Sequence, residues 1–437
     1  MPTTFRRYTP EQSLLLPPSP RDWLPEGHLA YFLSDTVDAL ELKAFYEPYE
    51  GDGRRNSPYD PRMMVKLLLY GYATGVFSSR KIARKLHEDV AFRVLGGENF
   101  PAHRTLSEFR QRHLSAFQAL FVQVLEVARE AGLLQMGMVA VDGTKVKASA
   151  SKHRAMSYGR MKQDQERLKG EIAELTSRAA RVDAEEDAQY GPDNTGDELP
   201  EELQRREQRL GKIQEAIERL RSRQAAEDRA TGRKEVPASA EKGKQRRQFG
   251  EPPEKKQDNF TDPESRIMKT SSGFEQCYNG QLAVESESRL ILAAKVTQSA
   301  SDHDELLAVL KEVRSNVGQF PQAVLADAGY RSEENLQRLE SCGIDAYVAL
   351  GREGKKVVLK KDQPSATQRM NQKLQTPEGR QRYAKRKSIV EPVNGWIKSV
   401  LGFRQFSLRG LKKVSGEWTL VCLALNLRQM SPLLEWT

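Results

Sequence analysis

The chain switches between two hydrophobic rhythms, and each switch marks a change of element. Residues 8 to 130 carry apolar positions at helical spacing, broken by Ser and Gly turns. Pro58-Tyr59-Asp60-Pro61 reads as a turn that launches a Met-, Leu- and Tyr-rich helix over 62–74. Two shorter helices are predicted after it, over 78–86 and, past Gly96-Gly97, over 105–112. In the first of these Ile82 and Leu86 point inward while Arg80, Lys81, Arg84 and Lys85 point outward. That layout suits a helix-turn-helix that contacts DNA through Arg80, Lys81 and Arg84, or a bundle used for dimerisation.

The rhythm then shortens. Met138-Val139-Ala140-Val141 reads as a buried strand ending at Asp142-Gly143. From about residue 150 to 270 the strand pattern stops and two heptad-like seams replace it. One runs through Met161, Leu168, Ile172, Leu175, Ala179 and Val182, the other through Leu203, Leu210, Ile213, Ile217 and Leu220. A loop at 191–196 joins them, so an antiparallel helical hairpin is expected. Residues 221–258 that follow have few apolar anchors and are predicted to be mobile without DNA, with Lys242, Lys244, Arg246 and Arg247 free to meet phosphates. Strands return as a hairpin over 281–285 and 290–296. A helix capped by Asp302 is predicted through Val313, then a strand ending at Asp327, a helix over 332–341 and a last strand over 346–350. Glu391 stands at the head of a predicted helix reaching Leu401, with Ser388 and Glu391 spaced as a capping box.

Charge changes the picture modestly. A net charge of +9 and a pI near 9.2 suit a polyanionic partner. Cys277, Cys342 and Cys422 are widely spaced, which argues against a disulfide frame or a structural zinc and for a reducing cytoplasmic setting. The sequence shows no signal peptide and no apolar run near the roughly 20 residues that span a bilayer.

Three acids carry the candidate chemistry: Asp142, Asp327 and Glu391. Singly, each has an ordinary explanation as a turn residue or a helix cap. Their order, two strand-end aspartates and then a helix-start glutamate, is what suggests a divalent-metal phosphoryl-transfer site. His303, between Asp302 and Asp304, is explained better by helix capping than by metal binding.

The chain resembles bacterial insertion-sequence transposases of the DDE type. The residues that carry the resemblance are Asp142-Gly143-Thr144-Lys145, Tyr278-Asn279-Gly280-Gln281, Asp327-Ala328-Gly329-Tyr330-Arg331, Glu391 to Lys398, Gly402-Phe403-Arg404, Arg409-Gly410 and Glu417-Trp418. It implies an α/β fold: an RNase-H-like mixed sheet flanked by helices, interrupted by a helical-hairpin insertion, with an all-α N-terminal domain. The implied division is 1–130 for DNA binding or dimerisation, 131–150 with 271–437 for catalysis, and 151–270 for the insertion and its basic segment. Asp142, Asp327 and Glu391 are then the catalytic metal ligands for two Mg²⁺ ions, with Mn²⁺ able to substitute. DNA contacts are expected at Lys398, Arg386, Tyr383, Lys145 and Arg331. The expected partners are double-stranded DNA, as element ends and target, and a second copy of the chain when two ends are paired. The location expected is the bacterial cytoplasm, on the nucleoid when bound.

One departure stands out. Relatives often carry Tyr, Arg, Glu and Lys at fixed spacing; Lys398 fits it, but Tyr383 and Arg386 each fall one residue early, where strict counting finds Ala384 and Lys387. Pro392 further predicts a break between residues 383–387 and the helix after them. Two other readings remain from the sequence: a DNA-binding regulator on an inactive transposase scaffold, and an RNase-H-like nuclease without strand transfer.

Overall fold

A computed structural model describes residues 19–50, 57–190, 201–233, 248–351 and 365–434. The architecture is mixed α/β. Ahead of the first strand come α1 (Leu29–Ala39), α2 (Lys43–Tyr46), α3 (Pro61–Ala73), α4 (Ser79–Glu88), α5 (Val90–Gly96), α6 (His103–Arg112) and α7 (Leu114–Glu130). The Asp60 carboxylate accepts the Arg62 N–H at 2.7 Å and Pro61 supplies the first turn, which is why α3 starts where the sequence suggests. Next are β1 (Met138–Lys147), β2 (Ala155–Ser157), α8 (Tyr158–Tyr190), α9 (Glu201–Ala230), β3 (Gln257–Asn259), β4 (Arg266–Thr270), β5 (Gly273–Glu285) and β6 (Ile291–Thr297). Then come α10 (Leu306–Val317), β7 (Ala323–Ala326), α11 (Glu333–Ser341), β8 (Asp345–Val348), α12 (Ser365–Gln375), α13 (Pro377–Gly395) and α14 (Leu411–Met430).

β1 is the axis of the main sheet. It pairs antiparallel with β5 on one side and parallel with β7 on the other, and β8 lies parallel beyond β7. β4 and β6 pair antiparallel with β5 at opposite ends of its other edge. Burial is continuous along β7 and along residues 276–285 of β5, as expected where both faces of a sheet are covered.

Several expectations change here. β1 does not end at Asp142. Its parallel pairing stops at Val141–Ala326, but its antiparallel pairing continues through Asp142–Leu282 to Lys147–Cys277. Thr144 and Val146, both buried and two residues apart, carry the strand's alternation onward. The stretch read as free of strands contains β2, paired with β3, and β4. At three residues each, β2 and β3 are too short for an alternation to register.

A large core runs from Ala30 to Met430, so the N-terminal helices and the sheet bury their apolar faces together. α14 is central to it, packing on α3, α7 and β6. Gly280 permits this approach: a Cβ there would stand 2.9 Å from the Trp418 ring. A second, smaller cluster joins α8 to α9 through Tyr158, Met161, Leu168, Ile213, Ile217 and Leu220. Arg206–Glu171 at 2.9 Å and Arg209–Asp164 at 3.4 Å fix the two helices as antiparallel. The side chains of Ala179 and Val182, the loop 191–196, and Lys242, Lys244, Arg246 and Arg247 lie outside the described residues.

Candidate functional site

The two aspartates meet where β1 and β7 part. Asp142 follows the last parallel pair, Val141–Ala326, and Asp327 follows the other member of that pair. Asp327 accepts the Gly329 N–H at 2.8 Å and so caps a short 3₁₀ turn, while Ser332 caps α11 by accepting the Asn335 N–H at 3.0 Å. The turn buries Tyr330, whose hydroxyl donates to Gln281 Oε1.

Asp302 is the surprise. It does not cap α10, which starts at Leu306 after Glu305 without a side-chain cap. Instead its Oδ1 accepts from Asn279 Nδ2 and Gln281 Nε2, each at 2.6 Å, with Lys145 Nζ at 3.5 Å. A Cβ on Gly143 would fall 2.7 Å from Gln281 Nε2 and closer still to Asp302 Oδ1, so glycine is what lets this network press against β1. Burial, opposed by Arg386 and reinforced by the Asp327 and Asp302 charges, pushes the Asp142 carboxyl up to about 6.

Glu391 comes from a different place than expected. It lies inside α13, not at a helix start, and Ser388 bonds back to Lys385 O rather than capping. Pro392 sits within the same helix, and a π-helical turn, Trp396–Val400, follows directly. Burial of Ile389, Val390, Val393 and Ile397 holds the helix through the hydrogen bond that proline cannot make. Continuity has a consequence for the early-falling residues: Arg386 is buried, with one nitrogen 3.9 Å from Asp142 Oδ1 and another 3.9 Å from Glu391 Oε1. Tyr383 hydrogen-bonds to Arg386. Asn394, three residues after Glu391, donates to Asp142 Oδ2 at 3.1 Å. Lys398 Nζ donates to Lys145 O at 3.0 Å, and burial lowers its pKa.

The remaining predicted contacts are spread more widely. Arg331 Nη1 donates to Leu350 O at 2.6 Å, tying the loop after β7 to the end of β8. Arg80, Lys81 and Arg84 are exposed on α4, with Arg84 3.4 Å from Glu88. The turn before α4 packs Phe77 against Phe403, ring centroids 5.0 Å apart, just past the Lys398 turn.

The donor set suits a hard divalent cation: carboxylate oxygens, one of them on an acid strained toward neutrality, and a buried Asn394 Oδ1 that has no hydrogen-bond partner. The trio is not gathered, however. Among the described residues no three His, Cys, Asp or Glu side chains converge to hold an ion, and the Arg386 guanidinium stands between Asp142 and Glu391.

Two sequence families match. The profile described as "Transposase DDE domain" covers residues 244–427, and one described as "Transposase domain" covers residues 18–112. The chain belongs to the DDE transposases. No curated protein and no solved structure matches it. Asp327 and Glu391 lie within the first match, whereas Asp142 lies between the two. Transposases bind DNA, and those of the DDE type generally use divalent metal ions. No described helix of this transposase is long and apolar enough to cross a membrane.

Reading the sequence missed Asp302 and Asn394 in this transposase. Asn394 was legible in principle, because it lies one helical turn from Glu391 on the same face. For Asp302 the local pattern, an acid shortly before a helix, pointed to a cap, and only the partners on β5 reveal otherwise.

Proposed function

We propose that this transposase binds the terminal inverted repeats of its element, cleaves DNA at the ends and joins the freed 3′-hydroxyls to target DNA. Asp142, Asp327 and Glu391 are the acids proposed to hold two Mg²⁺ ions, or Mn²⁺ in their place. When bound there, the metal supplies Lewis acidity for in-line attack on a phosphodiester by water or by a DNA 3′-hydroxyl. The observation that carries this reading is that Asp142 and Asp327 directly follow the last β1–β7 pair, Val141–Ala326, where burial first, and then the Asp327 and Asp302 charges, push the Asp142 carboxyl up to about 6, a cost that a bound cation relieves.

The chain's own groups have distinct tasks. Asp142 is fixed by Asn394 and Arg386, and Asp327 by its turn, so two acids are preorganised on rigid strands. Glu391, whose side chain is 54 % exposed, completes the set by swinging off Arg386. Arg386 and Lys398 then face the DNA backbone, with Tyr383 and Lys145 steadying them. Arg80, Lys81 and Arg84 are the proposed phosphate contacts on α4. Arg84's pair with Glu88 is an exposed i,i+4 pair worth only about 0.3–0.5 kcal/mol, so a phosphate displaces it readily.

The proposed division is an all-α DNA-binding or dimerisation region over 1–130, an RNase-H-like catalytic region over 131–150 and 271–437, and an insertion over 151–270. The strand order β6-β5-β1-β7-β8, three antiparallel and then two parallel, supports the RNase-H-like reading. Handling two ends together calls for two copies of the chain in the DNA complex. Incubation with labelled element ends, target DNA and Mg²⁺ tests the proposal: nicks and joined products are expected. Nicks without joints would leave a nuclease, and binding without nicks a regulator.

A further inference from the structure

A cavity of about 620 Å³ opens at the root of the α8–α9 pair, away from the acids. α9 contributes Arg205, Arg209 and Lys212 to its lining, and Arg154, next to β2, adds a fourth cation. Its floor is apolar: Met156, Ile213 and Phe260. Among the described residues no Asp or Glu lines it, although the outer faces of the same helices mix both signs. Arg209 shares its charge with Asp164, 3.4 Å away, but Arg154 and Lys212 are exposed and have no carboxylate partner among the described residues. A concave, single-sign surface of this kind concentrates positive potential.

The cavity is also rigidly tied to the acid site. Phe260 N–H donates to Arg154 O at 3.1 Å, joining the Arg154 segment to the chain just after β3. Asp262, two residues past Phe260, accepts the Tyr278 hydroxyl at 2.9 and 3.0 Å, and Tyr278 adjoins Asn279, which holds Asp302. Eleven residues separate Asp142 from His153 on the cavity rim, a reach of at most about 40 Å, little more than one turn of duplex.

We propose that this cavity is a DNA-backbone site, gripping phosphates of the same duplex whose end lies at Asp142 and Asp327. Its basic lining neutralises the phosphates, and the β2–β3 pair sets their distance from the cut. This rests on the DNA-processing role proposed above and extends it to a surface outside both the acids and α4.

The test is salt-dependent binding of a labelled 30-bp duplex by the full chain. Each phosphate contact contributes a slope of about 0.9 in log affinity against log salt. Arg154→Gln with Lys212→Gln is expected to lower the slope by roughly 2 and to weaken binding several-fold at moderate salt. Lys169→Gln with Arg178→Gln, the same loss of charge elsewhere on the hairpin, should leave the slope unchanged. Gln208→Glu, an exposed change inside the cavity, should also weaken binding without affecting folding. Equal slopes for the two double variants, or unaltered binding by Gln208→Glu, would overturn the cavity's role. Failure of the unaltered chain to bind any duplex would instead sink the DNA-processing reading and this inference with it.

Discussion

Arg386 Nη1 lies 3.9 Å from Asp142 Oδ1, so one buried guanidinium on α13 offsets the charge of the acid at the centre of the sheet. Its other nitrogen reaches Glu391 at the same distance. Removing the positive charge leaves Asp142 facing Asp327 and Asp302. Arg386→Gln is therefore expected to raise the Asp142 pKa further above about 6 and so make the carboxyl harder to ionise. A carboxyl-resolved NMR titration reads this directly, and an unmoved midpoint would mean the pair is electrostatically idle.

The acids themselves give the sharpest contrast between folding and chemistry. Asp142→Ala, Asp327→Ala and Glu391→Ala are each expected to fold and bind DNA nearly normally while losing Mg²⁺-dependent cleavage. Any variant that kept near-normal cleavage would remove its residue from the site.

Asp142 also fixes a pH dependence. Its ordinary value is 3.8 and its folded value about 6, so the neutral form is favoured by folding. The stabilisation is complete below the ordinary value and is lost as pH rises through the folded one. Metal-free protein should thus lose stability across that window. Mg²⁺, which binds the ionised form, should restore it, giving a larger melting shift at roughly pH 8 than at roughly pH 5. Equal shifts at both would detach Asp142 from metal binding.

Asp302 should matter for stability as well as for the site. Asp302→Ala strands the Gln281 Nε2 donor, fully buried, at about 1–3 kcal/mol, and leaves the buried Asn279 Nδ2 with only Ser299 O, 3.1 Å away. Urea unfolding measures the loss. A change within error of zero would mean that water replaces the carboxylate.

Glu417 is the buried joint between the N-terminal helices and the rest. It accepts the Ser407 and Leu408 N–H groups at 2.9 and 3.0 Å, receives the Tyr72 hydroxyl at 3.4 Å and lies 3.9 Å from Arg110. Glu417→Ala should cost about 3–5 kcal/mol, because Arg110 is left buried without its counter-charge. Hydrogen exchange should accelerate in α3 and α6 as well as in α14; acceleration confined to α14 would contradict a joint.

Much of the fold could be read in advance where a local rule decided it. Asp60-Pro61 started α3, the apolar runs gave β7 and β6, and the seam through Met161, Leu168, Ile213, Ile217 and Leu220 gave the α8–α9 contact. Reading failed where neighbours distant in sequence override a local signal. Asp142-Gly143 has the look of a turn, yet pairing with β5 carries the strand on. Pro392 has the look of a helix break, yet the buried residues on either side of it keep α13 whole.

The sequence by itself determined the periodicity of the elements and singled out Asp142, Asp327 and Glu391 as candidates, because spacing and residue type are properties of the chain alone. Only the tertiary structure decided which groups surround those acids. Arg386 and Asn394 reach Asp142 because an unbroken α13 crosses the sheet beside β1. Asp302 joins them because β5 presents Asn279 and Gln281 to it. Side-chain partners separated by many residues are set by packing and strand register, and no local pattern records either one.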